Sequence, residues 1–242
     1  MEKVLDLIKQ SKFITAFTGA GISVESGIPC FRGKGGLWEK YDPKYIEIDF
    51  FNSHPKESWA EIKKIFYSMT AQSNPNKAHK VLAEMERAGL LKGIVTQNID
   101  NLHQEAGSKI VYEFHGTLSY LTCQVCGKRY KISEVNLDAE LPSCPLCKGL
   151  LKPDFVFYGE GIPPQVYQDS FTLAQQSDLM IVVGTSGEVM PACALPHLVK
   201  QNGGKIIEVN TLPSAYTNTI TDLYFEEKAS IFFTRLENCL KI

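Results

Sequence analysis

The sequence lacks the features that mark membrane, secreted and nucleic-acid-binding proteins. Its 242 residues include no apolar run long enough to span a bilayer. Residues 1–11 have the apolar spacing of an amphipathic helix but no continuous apolar segment or cleavage site, so a secretory signal is not expected. The formal net charge of −2 provides no broad positive field for nucleic acid. The simplest expectation is a cytoplasmic globular protein without a membrane partner.

Cysteine is too sparse, and odd in number, for a disulfide scaffold. Four of the seven cysteines form two pairs, Cys123/Cys126 and Cys144/Cys147, separated by seventeen residues. Two such pairs are typical of a four-thiolate zinc site, which leaves no coordination position open to water. We therefore predict one structural zinc ion on Cys123, Cys126, Cys144 and Cys147, with a redox dithiol as the alternative.

Short apolar segments alternate with amphipathic ones along the rest of the chain. The pattern predicts strands at 13–17, 90–95, 110–114, 179–183 and 205–209, and helices at 1–11, 56–69, 76–87, 164–176, 194–201 and 229–240. Strands joined by crossover helices indicate an α/β fold with a mostly parallel sheet. Gly19, Gln97, His115, Gly184 and Asn210 each follow a strand, so we expect them at the sheet edge where ligands bind.

Taken singly, the candidate residues at this edge also allow ordinary structural roles. Gly19-Ala20-Gly21 suits a nucleotide phosphate, but Val24 replaces the third glycine of the dinucleotide fingerprint, and the turn could be a tight connection without a ligand. His115 could be a general base or a structural histidine. Asn98 and Asp100 could cap a helix over 101–106.

Together, the motifs stand in the order and at the spacing of one known family. They are Gly19-Ala20-Gly21-Ile22-Ser23, Glu25-Ser26-Gly27-Ile28-Pro29, Phe31-Arg32-Gly33, Gly36-Leu37-Trp38, the block from Thr96 to His103, His115-Gly116 and Gly184-Thr185-Ser186. The sequence thus resembles the sirtuins, and its cysteine insert falls where sirtuins carry theirs. The resemblance runs from about Thr18 to Asn210.

The resemblance implies two domains with a cleft between them. A Rossmann-like large domain would comprise residues 1–34, 77–117 and 152–242. A smaller domain would combine a helical module, 35–76, with a zinc-binding module, 118–151. NAD and an extended acyl-lysine peptide would meet in the cleft.

The resemblance also implies an activity, the NAD-dependent removal of acyl groups, chiefly acetyl, from protein lysines. The products would be nicotinamide, free lysine and O-acyl-ADP-ribose. Cleavage of the nicotinamide–ribose bond builds positive charge on the sugar, and the acyl oxygen must be held in line with it. In the family scheme an imidate adduct follows, and His115 would be the general base that takes a proton from a ribose hydroxyl. Asn98 and Asp100 would complete the catalytic set.

Two further groups of residues are assigned by motif. The cofactor-binding group comprises Gly19, Ala20, Gly21, Phe31, Arg32, Gln97, Asn98, Ile99, Asp100, Gly184, Thr185, Ser186, Asn210 and Ala229. The substrate-binding group comprises Val156, Tyr158, Gly159, Glu160 and Val189, and the peptide would bind by adding a strand. Tyr158 stands where the family usually has Phe, and a hydroxyl in an apolar tunnel needs a partner.

Acidic acyl groups are expected to be poor substrates. The stretch Gly184 to Pro191 resembles the sirtuin branch that includes desuccinylases, in which a Tyr-x-x-Arg pair binds the acyl carboxylate. In this sequence residues 59–73 contain no arginine, and Tyr67 is followed three residues later by Thr70.

Two alternatives remain open at this point. The same NAD cleavage could serve mono-ADP-ribosyl transfer to protein, with a different acceptor. A non-enzymatic zinc-ribbon module could instead contact phosphate through the cations near the cysteines, which are Lys128, Arg129, Lys131, Lys148 and Lys152. A solvated charged face is the favoured interpretation of these cations, and nucleic-acid binding is not expected.

Overall fold

The computed structural model describes residues 1–33 and 35–241, and its centre is a six-stranded parallel sheet. The strands, in the order β3-β2-β1-β7-β8-β9, are β1 (Ile14–Thr18), β2 (Leu91–Thr96), β3 (Val111–Glu113), β7 (Leu179–Val183), β8 (Lys205–Asn210) and β9 (Leu223–Glu226). Every residue of β1 and β7 is buried, as expected for central strands covered on both faces. The strand order reverses at β1, and such a switch point opens a crevice at the carboxyl ends of the strands.

Helices cover both faces of this sheet. They are α1 (Glu2–Gln10), α6 (Lys77–Arg87), α7 (Leu102–Ala106), α8 (Pro164–Gln176), α9 (Ala194–Gln201) and α10 (Ala229–Leu240). One hydrophobic cluster joins α1, α6 and α10 to the sheet through residues such as Val4, Leu82 and Phe233. A second joins α8 and α9 to the opposite face through Leu173 and Leu195. The sheet is therefore the middle layer of three.

A smaller antiparallel sheet lies in the middle of the chain, with the order β5-β4-β6. Its strands are β4 (Gly116–Cys123), β5 (Arg129–Lys131) and β6 (Leu151–Phe155). It shares a hydrophobic cluster with a run of short helices, α2 (Leu37–Lys40), α3 (Ile48–Ser53), α4 (Pro55–Ile62) and α5 (Ser68–Thr70). The fully buried Trp59 joins the two parts, because its Nε1 donates to the carbonyl oxygen of Leu151 at 3.0 Å.

The predicted α/β fold with a parallel sheet is confirmed, and the differences are local. The turn after β1 continues as a short 3₁₀ helix, Ala20–Ser26, outside the helix ranges predicted from the sequence. The helix predicted at 56–69 contains a π-helical segment, Lys63–Tyr67, between α4 and α5. The edge strand β9 and the short helices α2 and α3 were not predicted. Within the described residues no helix is both long and apolar enough to cross a membrane.

Candidate functional site

A cleft of about 1110 Å³ opens at the carboxyl ends of β1, β2, β7 and β8 and extends to the smaller sheet and its helices. Almost all residues of the predicted site line it, although they come from eight separate stretches of the sequence. These residues are Gly19, Ala20, Gly21, Phe31, Arg32, Gln97, Asn98, Ile99, His115, Val156, Tyr158, Gly159, Glu160, Gly184, Thr185, Ser186, Val189, Asn210 and Ala229. Among the residues predicted to bind NAD or the peptide or to act in catalysis, Asp100 alone is not a lining residue of the cleft.

Two main-chain turns meet at one end of the cleft. The N–H of Gly21 donates to the carbonyl oxygen of Gly184 at 2.8 Å, and a Cβ on Gly21 would lie 2.6 Å from the Gly184 Cα. Gly184 itself has a φ of 63°, which favours glycine. Gly21 and Gly184 are thus required for the turns after β1 and β7 to come this close to each other, whether or not a ligand is bound. Because these glycines have no side chains, main-chain atoms are exposed on the cleft surface, and close contact with a diphosphate requires such a surface.

Side chains from β2 and β8 tie this end of the cleft together. Gln97 Nε2 donates to Thr185 Oγ1 at 2.9 Å, and Asn210 Nδ2 donates to the Thr185 carbonyl oxygen at 3.0 Å. Two predicted residues, each at the end of a strand, therefore converge on a third, Thr185. Such cross-links hold the wall of the cleft in a single arrangement.

His115 lines the cleft and lies on the turn between β3 and β4. Its Nδ1 is 3.0 Å from the main-chain carbonyl oxygen of Gln97, an acceptor, so Nδ1 carries the proton and donates. The Nε2 of the neutral ring is then free to accept a proton. Burial lowers the pKa of His115 below its usual 6.5, and the hydrogen bond to Gln97 opposes this shift only in part. The ring is accordingly neutral at pH 7 and suited to act as a base.

Asn98, Ser23 and Asp100 form a hydrogen-bonded chain that leads away from the cleft. Asn98 Nδ2 donates to the Gly19 carbonyl oxygen and to Ser23 Oγ, both at 3.2 Å. Ser23 Oγ donates to Asp100 Oδ2 at 2.6 Å, and Asp100 Oδ1 accepts from the N–H of Leu102 at 3.0 Å, capping α7. Burial raises the pKa of Asp100, against the opposing hydrogen bonds. Asp100 thus supports Asn98 through Ser23, which belongs to the Gly19–Ser23 motif and for which no role was predicted.

Two buried histidines lie beyond this chain. His79 Nδ1 accepts from the N–H of Asn76 at 3.3 Å, so its Nε2 carries the proton, 3.5 Å from Ser23 Oγ. His103 Nε2 contacts Thr18 Oγ1 at 2.9 Å, and the two imidazole rings pack edge to face at 4.8 Å. Burial lowers the pKa of His79 to about 4 and that of His103 well below 6.5. Both rings are neutral groups of the interior.

The far end of the cleft is bounded by six aromatic residues, which we call the aromatic wall. They are Phe31, Trp38, Phe66, Phe155, Phe157 and Tyr158. Phe31 packs on Trp38 at 5.5 Å between ring centroids, and Trp38 on Tyr158 at 6.3 Å. Phe31 and Tyr158 were predicted site residues, and Trp38 belongs to a motif without an assigned role, whereas Phe66, Phe155 and Phe157 were not predicted and are marked in the sequence only by their aromatic character. The wall makes this end of the cleft apolar.

Tyr67, the tyrosine of the incomplete Tyr-x-x-Arg pair, does not line the cleft. Its ring stacks on Trp59 at 6.3 Å, and its hydroxyl is buried without a hydrogen-bond partner in the described part of the chain. The preceding residue, Phe66, reaches the cleft instead. The helical segment therefore presents an apolar group where a carboxylate-binding pair would stand.

The four paired cysteines form one cluster in the smaller sheet region. Their sulfur atoms all lie within 4.8 Å of one another, with Cys123 Sγ to Cys147 Sγ at 3.5 Å and Cys126 Sγ to Cys144 Sγ at 3.8 Å. A tetrahedral zinc ion bound at about 2.3 Å requires sulfur–sulfur distances of about 3.8 Å. The four sulfurs fit a zinc ion, as predicted. None of the four is among the described residues that line the cleft.

Neighbouring groups support the sulfurs. The hydroxyl of Tyr130 lies 3.1 Å from Cys144 Sγ, and the N–H of Val125 donates to Cys123 Sγ at 3.4 Å. Gly127 and Lys148, one after each cysteine pair, adopt left-handed backbone conformations that close the two turns. Donors around sulfur stabilise thiolates, the form that binds zinc.

The cations near the cysteines are in part compensated by carboxylates. Arg129 pairs with Asp154, and Lys152 pairs with Glu160 at 2.9 Å. Lys128 Nζ lies over the Tyr130 ring, 5.3 Å from its centroid. These contacts occupy three of the cations locally, and Lys152, whose side chain is only 12% exposed, does not belong to a solvated face.

Comparisons with known proteins extend over the whole chain. A model of the Sir2 family, the sirtuins, matches residues 19–191. An NAD-dependent protein deacylase of Pyrococcus furiosus is 43% identical over 244 residues, covering 97% of this chain and 95% of the relative. A second, from Thermococcus kodakarensis, is 44% identical over 230 residues, covering 92% and 89%.

Solved structures give the same result. A Sir2 complex with a p53 peptide and NAD+ superimposes with a TM-score of 0.91 at 38% identity, covering 100% of this chain and 98% of the other. Sir2Tm bound to a propionylated peptide gives a TM-score of 0.90 at 36% identity, covering 100% and 99%. The chain belongs to the Sir2 family.

Proposed function

We propose that this protein removes acyl groups, chiefly acetyl, from protein lysine side chains at the expense of NAD. The observation that carries the proposal is the placement of His115 in one continuous cleft, with bare main-chain turns at one end and the aromatic wall at the other. The curated relatives named as NAD-dependent protein deacylases support it. NAD+ and acylated peptides occur in structures of the same fold.

The end of the cleft formed by the β1, β7 and β8 turns fits the dinucleotide. Gly19, Ala20 and Gly21 would hold the diphosphate together with Thr185 and Ser186. Asn210 and Ala229 would contact the adenosine, and Gln97 the nicotinamide ribose. Main-chain N–H groups at strand–helix turns are suited to bind phosphate oxygens.

Three further residues would form the nicotinamide pocket. Asn98 is buried and fixed through its Nδ2, which leaves its Oδ1 to accept a hydrogen bond from an amide. Ile99 would add an apolar surface, and Asp100 would act through Ser23. Phe31 and Arg32 would cover the nicotinamide end of the cleft.

The acylated lysine would enter between the 156–160 segment and Val189. Val156 and Tyr158 would flank the lysine chain, and the aromatic wall would surround the acyl group. The N–H and C=O of Tyr158 already bond to Ile46 and Ile48, so this segment is fixed before a peptide binds. Gly159 and Glu160 would provide the edge to which the peptide adds as a strand.

Bound NAD supplies a glycosidic bond whose cleavage leaves an electrophilic sugar carbon. The protein's part is to align the acyl oxygen with that carbon, to exclude water and to accept a proton. Alignment of two reactants can supply several kcal/mol of the barrier reduction, about 7–11 kcal/mol at most. The Nε2 of His115 would take the proton from a ribose hydroxyl, since its Nδ1 is committed to Gln97.

The remaining assignments concern the architecture. We propose that residues 1–34, 77–117 and 152–242 form the NAD-binding domain, residues 35–76 a helical module, and residues 118–151 the zinc module. The zinc ion would be structural, because four thiolates fill its coordination shell. A thiolate zinc site suits a reducing compartment, so we propose a cytoplasmic location.

The product balance tests this function. The protein is incubated with NAD and an acetyl-lysine peptide, and nicotinamide, deacetylated peptide and O-acetyl-ADP-ribose are quantified. A deacylase gives the three in equal amounts. Nicotinamide release with ADP-ribose attached to protein, and no deacetylated peptide, would instead establish mono-ADP-ribosyl transfer.

A further inference from the structure

A buried carboxylate lies beneath the loop that connects β8 to β9. Glu208 of β8 is 1% exposed. It accepts three hydroxyl donors, Ser214 Oγ at 2.5 Å and Thr217 Oγ1 at 3.0 Å on Oε1, and Thr221 Oγ1 at 2.7 Å on Oε2. Among the residues that the structure describes, no cation pairs with it. A buried charge is tolerated only where hydrogen bonds compensate the lost hydration, and here one loop, 211–222, supplies all three.

Two of these hydroxyls also hold the main chain of the loop. Ser214 Oγ accepts from the N–H of Tyr216 at 3.0 Å, and Thr217 Oγ1 accepts from the N–H of Ser214 at 2.8 Å. Because each hydroxyl donates its own proton to Glu208, its orientation is fixed, and its lone pairs point to the N–H groups. The carboxylate therefore sets the backbone of the loop through two side chains.

The loop in turn reaches the cleft. Its first residues, Thr211, Leu212 and Pro213, line the cleft next to Asn210. Further along, the N–H of Ala215 donates to the Ser186 carbonyl oxygen at 2.9 Å. The loop thus contributes one part of the cleft wall and braces another.

The buried ring of Tyr216 fixes the same region from below. A Cβ on Gly187 would lie 2.8 Å from this ring, so the loop packs directly under the 185–187 turn. The Tyr216 hydroxyl donates to the carbonyl oxygen of Cys193 at 3.0 Å. A displacement of the loop would therefore move the cleft residues that follow Asn210 and also the turn that carries Ser186.

We propose that Glu208 is a positioning residue for the dinucleotide end of the cleft. It does not line the cleft, and acts through Ser214 and Thr217 on the residues that do. This inference rests on the proposed binding of NAD at that end. It predicts that loss of the carboxylate weakens binding of the dinucleotide and leaves the peptide end of the cleft unchanged.

The test is Glu208→Gln, with Asp222→Asn as the matched control. Glutamine keeps the size of the side chain but has one acceptor oxygen instead of two, so at least one buried hydroxyl loses its acceptor. Asp222, at the end of the same loop, also carries a carboxylate that holds its neighbours, namely Lys205 and the N–H of Ile206 on β8 and Lys200 on α9. Its contacts lie away from the cleft.

Binding of ADP-ribose is measured by calorimetry, and KM for NAD and for acetyl-peptide by steady-state kinetics. We expect Glu208→Gln to raise the ADP-ribose Kd and the NAD KM about fivefold to tenfold, with kcat at saturating NAD and peptide KM within twofold of wild type. Asp222→Asn should lower thermal stability without changing the ADP-ribose Kd. A purely structural role of Glu208 would give both variants the same behaviour.

Equal ADP-ribose Kd values for wild type and Glu208→Gln would overturn this inference and leave the proposed function intact. No binding of ADP-ribose or NAD to the wild type would overturn both. Should Glu208→Gln fail to fold, Ser214→Ala serves instead, because it removes the hydroxyl that joins Glu208 to the N–H of Tyr216. Unchanged binding by Ser214→Ala would then count against the proposal.

Discussion

The imidazole Nδ1 of His115 lies 3.0 Å from the main-chain carbonyl oxygen of Gln97. The contact joins the end of β2 to the turn before β4. It fixes both the orientation of the ring and its tautomer, since a carbonyl can only accept. Gln97 also bonds to Thr185 through its side chain, so the same residue links the base to the dinucleotide end of the cleft.

This arrangement predicts the pH dependence of the reaction. Burial lowers the pKa of His115, so the neutral, active ring predominates above pH 6.5 and is lost as the pH falls through the lowered pKa. We expect kcat/KM to be flat above about pH 7 and to decrease on the acid side with a midpoint below 6.5. Zinc content is checked at each pH to exclude loss of metal. A midpoint above 7 would contradict the account.

Removal of one zinc ligand should unfold the cysteine region. Cys123 is a buried member of the four-cysteine cluster, and its loss leaves three thiolates and an open position. We expect Cys123→Ala to lose stoichiometric zinc and its Tm to fall by about 10 °C or more, because structural zinc supplies local folding energy. Cys239→Ala, at an exposed cysteine outside the cluster, is the control and should keep both. Normal zinc content in Cys123→Ala would refute the four-thiolate site.

Acyl selectivity should follow charge rather than length. Phe66 reaches the cleft and Tyr67 is turned into the interior, so no residue of the aromatic wall is a cation that could pair with an acyl carboxylate. Lys152 Nζ lies 4.1 Å from the centroid of the Phe157 ring but is already paired with Glu160 at 2.9 Å. We expect kcat/KM for a succinyl-lysine peptide to be lower than for acetyl by at least about tenfold, the cost of an unpaired buried charge. A butyryl peptide, neutral and of the same carbon number as succinyl, separates size from charge. Succinyl turnover faster than acetyl would show that the wall holds an unrecognised cation.

The buried pair His79 and His103 should make folding stability depend on pH. Both rings have a lowered pKa in the folded state, so below 6.5 the unfolded chain binds more protons and stability falls with pH. The slope is at most about 1.4 kcal/mol per pH unit for each histidine, between pH 6.5 and about 4. Urea unfolding of the zinc-loaded protein at pH 7 and pH 5.5 measures it.

In the His79→Gln variant, the unfolding free energy should decrease less between pH 7 and pH 5.5 than it does in the wild type. The exposed His54 offers the control, since His54→Gln should retain the full decrease. An unfolding free energy that is the same at both pH values for the wild type would mean that the two rings are not held neutral by burial.

The central strands could be predicted because they are buried on both faces. β7 is a continuous apolar run and β1 a run of apolar and β-branched residues, and their short length and the glycine that follows each distinguish them from helices. The edge strand β9 is half-exposed and only four residues long, so its pattern carries little signal. Helices α2 and α3 are shorter than two turns, and they form because Leu37 and Phe51 pack in a shared core that local periodicity does not reveal.

The site was predictable where it is encoded in linear motifs, and less so where it depends on tertiary packing. The motif residues converge on one cleft, as their positions after strands predict. Asp100, however, reaches the cleft only through Ser23, and most of the aromatic wall comes from sequence segments without a motif. In the sequence nothing distinguishes Glu208 from other strand residues. Only folding brings the three hydroxyl groups to its carboxylate.

The most direct test of the central claim compares wild type with His115→Ala for NAD binding and for turnover of an acetyl-lysine peptide, with His54→Ala as a control. The account predicts that His115→Ala binds NAD within about threefold of wild type while its kcat falls by at least about 100-fold, the range of a general base. Turnover by His115→Ala within a few-fold of wild type, at equal NAD binding, would contradict it.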